Sequence, residues 1–582
     1  MWGENQGVSW GMDGRGLRNR LWKGKGKHTM RTICTAQEAK SKLSNFEDRD
    51  FRQYQEDVIK FVTQSKRKFK VVSMPTGGGK SLIGMICGIM AQQANYLCST
   101  KILQTQLASD FPEAKSLFGR GNYVCLLNES KNCDQCISTR SFSTKCPDSS
   151  SCLYKIAKQE AIESSLRILN YNYFLSETQY VGKMSGTPLT IIDEVDALEG
   201  TLINQISLQF TERSLFRLGL QDGPYRKTVK AKDGIESWKE FGKEAMNRAE
   251  KLSASIMTEI MSFDQITEDW QFRKFHEYDH FYHLYERAKM FIDNVDRDWI
   301  MDRQERQGSR QARTIFRPLW ITNELAELFM WSKSDNFLLM SATFLPKLIF
   351  CKTLGLDPDE VDWMETPSTF PIDRRPIHVW PVANVTNKNL DDAIPKLAKG
   401  IHHILGLHPD SHGLIQGVSY SLCKRVSEAL QSERIRIHTP QDRQEVLDEF
   451  INSNSNSVVL SPSTERGISL EGSKCDFIIW IKAPYLSLMD RIVSQRLYSS
   501  SIGQFWYRSA MMLSIVQGCG RGMRNKDDYC VSYLIDHQIN KIYTKSPLIW
   551  PKWFRDAVSW DESPWEEVDI GDVVDMVDED DW

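Results

Sequence analysis

The chain has no long apolar run. The longest, Leu82–Ala91, spans ten residues, half of the ~20 that a bilayer-crossing helix needs, so a membrane-spanning helix is excluded. The first thirty residues also lack the apolar core of a signal peptide, carrying instead seven glycines and six basic against two acidic residues. Secretion is not expected, and the leader reads either as a flexible basic arm or as an extension ahead of a start at Met30. Excess charge of either sign is missing too, since 73 Lys and Arg face 76 Asp and Glu for a net of −3. Basic residues are absent after Arg555, where twelve of the acidic ones fall, so residues 1–555 carry 73 basic against 64 acidic residues, a net of +9. A basic body with an acidic tail suggests contact with a polyanion, although a mildly basic solvated surface gives the same arithmetic.

Much else is ordinary. At 582 residues, with 41% hydrophobic and 26% charged, the chain is too long for one core of ~150 residues and has a globular composition. Short apolar runs alternate with helical stretches, the pattern of an α/β fold with parallel sheets. The thirteen cysteines are not evenly spread, because Cys125, Cys133, Cys136, Cys146 and Cys152 fall within 28 residues. Without a secretory signal, such a cluster reads as metal ligands before disulfides.

Three segments carry chemistry. The apolar strand Phe69–Met74 runs into Pro75-Thr76-Gly77-Gly78-Gly79-Lys80-Ser81 and then a helix. In that order glycine amides approach phosphate oxygens, the helix N-terminus adds favourable dipole, Lys80 reaches the β- and γ-phosphates and Ser81 can ligate Mg²⁺. A second strand, Leu189–Ile192, leads into Asp193-Glu194-Val195-Asp196, where Asp193 would hold Mg²⁺ through water and Glu194 would activate the attacking water. An acidic pair alone is weak; 113 residues after a phosphate loop it is strong. The third segment is Gln517-Gly518-Cys519-Gly520-Arg521-Gly522-Met523-Arg524. Arg521 and Arg524, read as three apart on one helical face, present forked donors to a phosphoryl group.

These three blocks together resemble superfamily 2 helicases. Phe51-Arg52-Gln53-Tyr54-Gln55 looks like the adenine-reading Q motif, Ser99-Thr100-Lys101 resembles motif Ia, and Met340-Ser341-Ala342-Thr343 resembles motif III. Gly119–Cys125 is similar to the segment that opens the iron-sulfur domain of DinG/XPD-type helicases, and Cys152-Leu153-Tyr154 with Asn170-Tyr171 to the one that closes it. The resemblance runs from about Arg52 to Asp536. It implies an α/β fold of two RecA-like parallel-sheet motor domains, the first carrying a small Cys-rich metal-cluster insert and a helical Arch-like insert. The implied division is a leader (1–45), motor domain 1 in three pieces (46–124, 153–198, 314–375), the Cys-rich insert (125–152), the Arch-like insert (199–313), motor domain 2 (376–555) and an acidic disordered tail (556–582).

It further implies ATP, Mg²⁺ and a [4Fe–4S] cluster on four of the five cysteines. Cys125 and Cys152 match the first and last ligands, Cys146 matches a third, and either Cys133 or Cys136 supplies the other. Zn²⁺ at a four-cysteine site and an empty loop remain open, Cys133-x-x-Cys136 being a good chelating pair. Gln55, Thr76, Gly77, Gly78, Gly79, Lys80 and Ser81 are the expected nucleotide contacts; Lys80, Asp193, Glu194, Gln517, Arg521 and Arg524 the catalytic set; Thr100, Lys101, Ser419 and Tyr420 the strand contacts. In the Arch-like insert, Trp238, Phe241, Trp270, Phe272 and Phe275 are either core or nucleic-acid contacts, and Arg303, Arg306, Arg310 and Arg313 either face nucleic acid or solvent. Two departures from the family pattern stand out. Motif V has Arg466-Gly467-Ile468-Ser469 where relatives have Glu-Gly-x-Asp, and Asp196 replaces the histidine of DEAH; both put the coupling of ATP to movement in doubt.

The expected function is an ATP-driven helicase moving 5′ to 3′ on single-stranded or forked DNA, in the cytoplasm and as a monomer. A DNA-binding scaffold with a decayed motor, or an RNA helicase, are the alternatives; intact Lys80, Glu194, Arg521 and Arg524 argue against decay. The tail, ending Asp578-Glu579-Asp580-Asp581-Trp582, reads as a solubilising segment, a docking site for a protein partner, or a competitor for the basic channel.

Overall fold

A computed structural model describes residues 28–126, 128–135, 150–220, 234–263, 268–304, 311–453, 456–462, 474–523 and 527–559. Residues 1–27 of the leader, Cys136, Cys146, Arg306, Arg310, the departing stretch of motif V, Arg524 and the acidic tail from residue 560 lie outside them; the leader's remainder is not a flexible arm, since Thr35 caps helix Ala36–Lys40 and Met30, Ala39 and Leu43 are buried in the core of motor domain 1.

Two seven-stranded sheets, each wholly parallel, form the frame. In the first the order is Val361–Glu365, Phe69–Ser73, Ser334–Ser341, Thr187–Asp193, Ala94–Cys98, Leu166–Asn170 and Lys115–Ser116. Strands such as Phe69–Ser73 and Ala94–Cys98 are buried at every position, as expected where helices cover both faces of a parallel sheet. The phosphate loop, Ser341 and Asp193 therefore sit at the carboxyl ends of three adjacent strands, with Ser73 opposite Ser341 and Met340 opposite Asp193. That edge is where open α/β sheets bind ligands.

The second sheet has the order Ile435–Ile437, Val458–Ser461, Gly413–Gln416, Phe477–Trp480, Val531–Asp536, Ile377–Ala383 and Val558–Ser559. Its last strand pairs with Ile377 and His378, so ordered chain continues past Arg555. Two apolar cores, one around Leu414, Ile478 and Ile515 and one around Ile401, Ile415 and Ile479, cover its faces.

Between Asp196 and the return of the chain at Trp320 stands an insert built on two long helices, Ile235–Met261 and Asp269–Asn294. Trp238, Phe241, Ala245, Ala249, Ile256 and Ile260 form one buried stripe on the first, the three-to-four spacing of an amphipathic helix. The helices run antiparallel: Gly242 packs on Phe291 at one end and Lys274 bonds Glu259 at the other. Their base rests on a three-stranded antiparallel sheet, Leu208–Thr211, Arg313–Pro318 and Trp299–Gln304, so the insert is not helical throughout. Trp238, Phe241 and Phe275 are core, and Trp270 is exposed. Phe272 lies under the Lys131 ammonium, 4.1 Å from ring centre to nitrogen, which joins this insert to the Cys-rich one. No described helix is long and apolar enough to cross a membrane.

Candidate nucleotide site and motor cleft

The phosphate loop is held from below by the buried strand Phe69–Ser73 and from the side by the Q-like segment. Gly77 and Gly79 adopt left-handed φ of 79° and 83°, which L side chains avoid. At Gly79 a Cβ would also lie 2.2 Å from Gln55 Nε2. Gln55 is buried, its amide donating to Gly78 O at 3.0 Å and its oxygen accepting from Arg52 N at 2.9 Å. Arg52 in turn donates to Gly77 O at 2.6 Å. Here Gln55 braces the loop, a role its resemblance to an adenine reader did not suggest. Lys80, the first residue of helix Lys80–Met90, donates to Met74 O at 2.9 Å.

Asp193 is fully buried, and burial pushes its carboxyl above the usual carboxylate range, while the Lys80 ammonium and the Tyr96 hydroxyl pull the other way. Tyr96 donates to Asp193 Oδ2 at 2.8 Å, with Ser81 close enough to the same hydroxyl to influence it, so one tyrosine stands beside both expected Mg²⁺ ligands. Its ring fits because helix position 84 is glycine, where a Cβ would come within 2.7 Å. Tyr171 holds the Asp193 carbonyl from the other side. Tyr96 was not legible in the sequence; the strand that carries it, Ala94–Cys98, is buried throughout, includes Asn95 and neighbours the acidic strand.

Glu194 has a left-handed backbone, φ 54° and ψ 46°, a conformation that costs energy for a non-glycine residue and clusters at functional sites. Its carboxylate accepts from Ser99. The next two residues of that block behave differently. Thr100 caps helix Lys101–Asp110 by accepting from Leu103 N at 3.2 Å, and exposed Lys101 donates to Asn122 Oδ1 at 2.9 Å. In motor domain 2, Ser419 likewise caps helix Tyr420–Leu430, and Tyr420 is half-exposed with its ring edge-on to His438.

Asp196 is the junction of the cleft. Its Oδ1 accepts from Ser341 Oγ at 2.8 Å and its Oδ2 from Gln517 Nε2 at 2.9 Å. One carboxylate thus links the acidic segment and the motif III-like serine of motor domain 1 to the motif VI-like glutamine of motor domain 2. The arginine pair was expected on one helical face, and here the structure differs: helix Ser501–Cys519 stops before it, and Arg521 lies in the 3₁₀ turn Gly520–Gly522. Two of the glycines here are required by their neighbours, which leave no room for a side chain at Gly518 or Gly522. A Cβ at Gly518 would lie 2.3 Å from the Trp480 ring and one at Gly522 2.4 Å from Cys530 Sγ. At Gly520 it would face Thr76 Oγ1 at 3.7 Å, so the turn looks onto the phosphate loop across the cleft.

In the Cys-rich insert, Cys125 ends the strand Val124–Cys125 of a small antiparallel pair. Buried Cys133 and Cys152 come together with sulfurs 3.9 Å apart. Two adjacent thiols suit a shared metal group, but among the described residues no three His, Cys, Asp or Glu side chains form one. The cysteine set is thus brought together only in part.

Residues 405–557 match the helicase C-terminal domain family. No curated protein matches the chain. Among solved structures, apo XPD is similar with a TM-score of 0.52 and 15% identity, over 86% of this chain and 99% of that one. An XPD helicase structure gives 0.51 and 14%, over 88% and 100%. At these identities the likeness is one of fold. Residues 405–557 therefore carry a helicase C-terminal domain, and the chain as a whole has the fold seen in the XPD structures, two parallel-sheet domains with an insert in the first.

Proposed function

We propose that the chain is an ATP-driven DNA motor that moves 5′ to 3′ along a single strand and separates the duplex ahead of it. The observation that carries this reading is Asp196, whose carboxylate bonds Ser341 on one motor domain and Gln517 on the other, two residues after the candidate water-activating Glu194. A nucleotide held by Gly77–Ser81 would meet Arg521 and Arg524 from across the cleft, Asp193 and Ser81 would hold its Mg²⁺, and Glu194 would orient and deprotonate the water. Closure and reopening of the cleft would then shift two grips on the strand, one near Thr100 and Lys101 and one near Ser419 and Tyr420. DNA as the track is supported by the net +9 of residues 1–555 and by the order of family-like blocks. Four of Cys125, Cys133, Cys136, Cys146 and Cys152 would hold an iron-sulfur cluster, which when bound would cross-link the insert beside the strand path.

DNA-stimulated ATPase activity tests the proposal. Wild type should hydrolyse ATP faster with single-stranded DNA, and Glu194→Gln should abolish turnover while leaving ATP binding intact. Absence of stimulated hydrolysis in wild type, under conditions where the protein binds single strands, would sink the reading. Forked substrates of both polarities, and an RNA strand in parallel, fix direction and track.

A further inference from the structure

Helix Ser501–Cys519 belongs to two cores at once. Trp506, in its first half, is buried in the core of motor domain 1 and the insert together with Ile492 and Val493, whereas Met511, Met512, Ile515, Val516 and Cys519 are buried in the core of motor domain 2. The changeover falls at residues 508–510. The preceding helix, Arg491–Ser499, is fixed to the first half: Ser500 caps the longer helix, and Gly503 lies so close that a Cβ would overlap Arg496 O.

What grips this helix pair is a buried arginine. Arg496 is 1% exposed, its guanidinium in the corner made by the edge-to-face Trp320 and Trp506 rings, 4.0 and 4.6 Å from their centres. It donates to Leu319 O at 2.7 Å and to Glu199 Oε1 at 2.6 Å. Around it, Arg491 donates to Met301 O at 2.8 Å, and Arg317 pairs with Asp302 and Asp490. Met301, Asp302 and Arg317 lie on the sheet at the base of the insert. Glu199 lies three residues after Asp196, so the short segment behind the acidic strand holds this helix pair at two points, Arg496 and Gln517.

A desolvated arginine against two mutually perpendicular indole rings and with a carboxylate partner is a rigid joint, because removing either charge leaves the other buried and unpaired. Near the far end of the same helix stands Gln517, whose bond to Asp196 spans the nucleotide cleft. A helix is stiff over the eleven residues between Trp506 and Gln517, roughly 16 Å at 1.5 Å per residue.

We propose that Arg496 is a positioning residue for mechanical coupling: it anchors helix Ser501–Cys519 to the base of the helical insert, so that the helix acts as a lever carrying the state of the nucleotide cleft to that insert. The inference rests on the proposed motor function for its unwinding readout, and independently on structure for its second readout.

The experiment compares full-length wild type with Arg496→Lys, Arg496→Met and Trp506→Leu. It measures DNA-stimulated ATP turnover, base pairs unwound per ATP, and hydrogen exchange in helices Ile235–Met261 and Asp269–Asn294 with and without a non-hydrolysable ATP analogue. Arg496→Lys keeps the charge but loses the planar fork and stacking; it should leave kcat and KM for ATP within about twofold while lowering base pairs unwound per ATP about tenfold. The analogue should change exchange in both insert helices of wild type. In the variants that change should vanish while protection at the phosphate loop persists. Parallel loss of turnover and unwinding would mark Arg496 as a general stability contact and overturn the lever, as would variants with wild-type yield and exchange. If Arg496→Met does not fold, the other two variants carry the comparison. If wild type shows no stimulated ATPase, the motor reading fails, and the exchange comparison alone decides the lever.

Discussion

Removing the Asp196 carboxylate is the sharpest test of how the cleft is wired. Asp196→Ala deletes two charge-assisted hydrogen bonds, to Ser341 at 2.8 Å and to Gln517 at 2.9 Å. Such bonds contribute about 1.5–3 kcal/mol each, and since Asp196 is only half-buried the lower figure applies. At about 1.4 kcal/mol per factor of ten, each bond amounts to roughly tenfold and the pair to roughly a hundredfold in kcat/KM for ATP with single-stranded DNA present. Gln517→Ala and Ser341→Ala should each cost about tenfold in wild type, and close to nothing in an Asp196→Ala background, because the shared partner is already gone. Asp196→His, which restores the family's usual residue, offers one acceptor nitrogen at most and should satisfy only one partner, giving an intermediate loss. Steady-state ATPase assays on these four single variants and the two doubles complete the cycle. Near wild-type activity in Asp196→Ala would refute the wiring, and so would fully additive losses in the doubles.

Three more outcomes are expected. Gln55→Ala frees Gly78 O and Arg52 N of a buried partner, and at about 1–1.5 kcal/mol should weaken ATP binding roughly tenfold in equilibrium titrations; an unchanged affinity would remove the brace role. Buried Lys70, which bonds His28 O and Asn336, is lowered by desolvation to about 7, against about 10.4 in the unfolded chain. Its cost is therefore full below pH 7 and fades as pH rises toward 10, so the denaturant stability of Lys70→Met relative to wild type should be greatest near pH 7 and shrink at alkaline pH; a constant difference would contradict the sign. In the Cys-rich insert, Cys133→Ser should reduce iron or zinc per chain to background after anaerobic purification, because Cys133 is the thiol that meets Cys152; undiminished metal content would assign the ligand to Cys136 instead.

The parts of the site that were legible in the sequence are those whose chemistry is local. Strand, glycines, lysine and helix are contiguous from Phe69 to Met90, and an apolar strand runs straight into Asp193 and Glu194, so each pattern carries its own context. What stayed hidden depends on distant pairs. Tyr96 meets Asp193 across 97 positions and Asp196 meets Gln517 across 321, and no local periodicity announces either. Asp196 was in fact read as a departure that weakened the motor, whereas its two oxygens serve two partners at once. The spacing of the arginine block fits a helix face, yet the helix ends at Cys519, and Gly518 and Gly522 are set by Trp480 and Cys530 around them. α/β layering on parallel sheets was visible from alternation, and its division into two motor domains from the family resemblance, while the small antiparallel sheet beneath the insert was not, its first strand being separated from the other two by the two long helices.

The order of the first sheet has a consequence for how the chain is made. Phe69–Ser73, the strand beneath the phosphate loop, pairs with Ser334–Ser341 and Val361–Glu365 and with nothing nearer in sequence. Ser73 and its partner Ser341 are 268 residues apart; at a synthesis rate of 5–20 residues per second the earlier strand waits roughly 15 to 50 s for its neighbour. During that interval a strand destined to be buried at all five positions has both edges bare, the condition under which nascent chains aggregate or are held by chaperones. Yield on expression should therefore respond to chaperone supply and growth temperature even though the finished fold buries that strand completely.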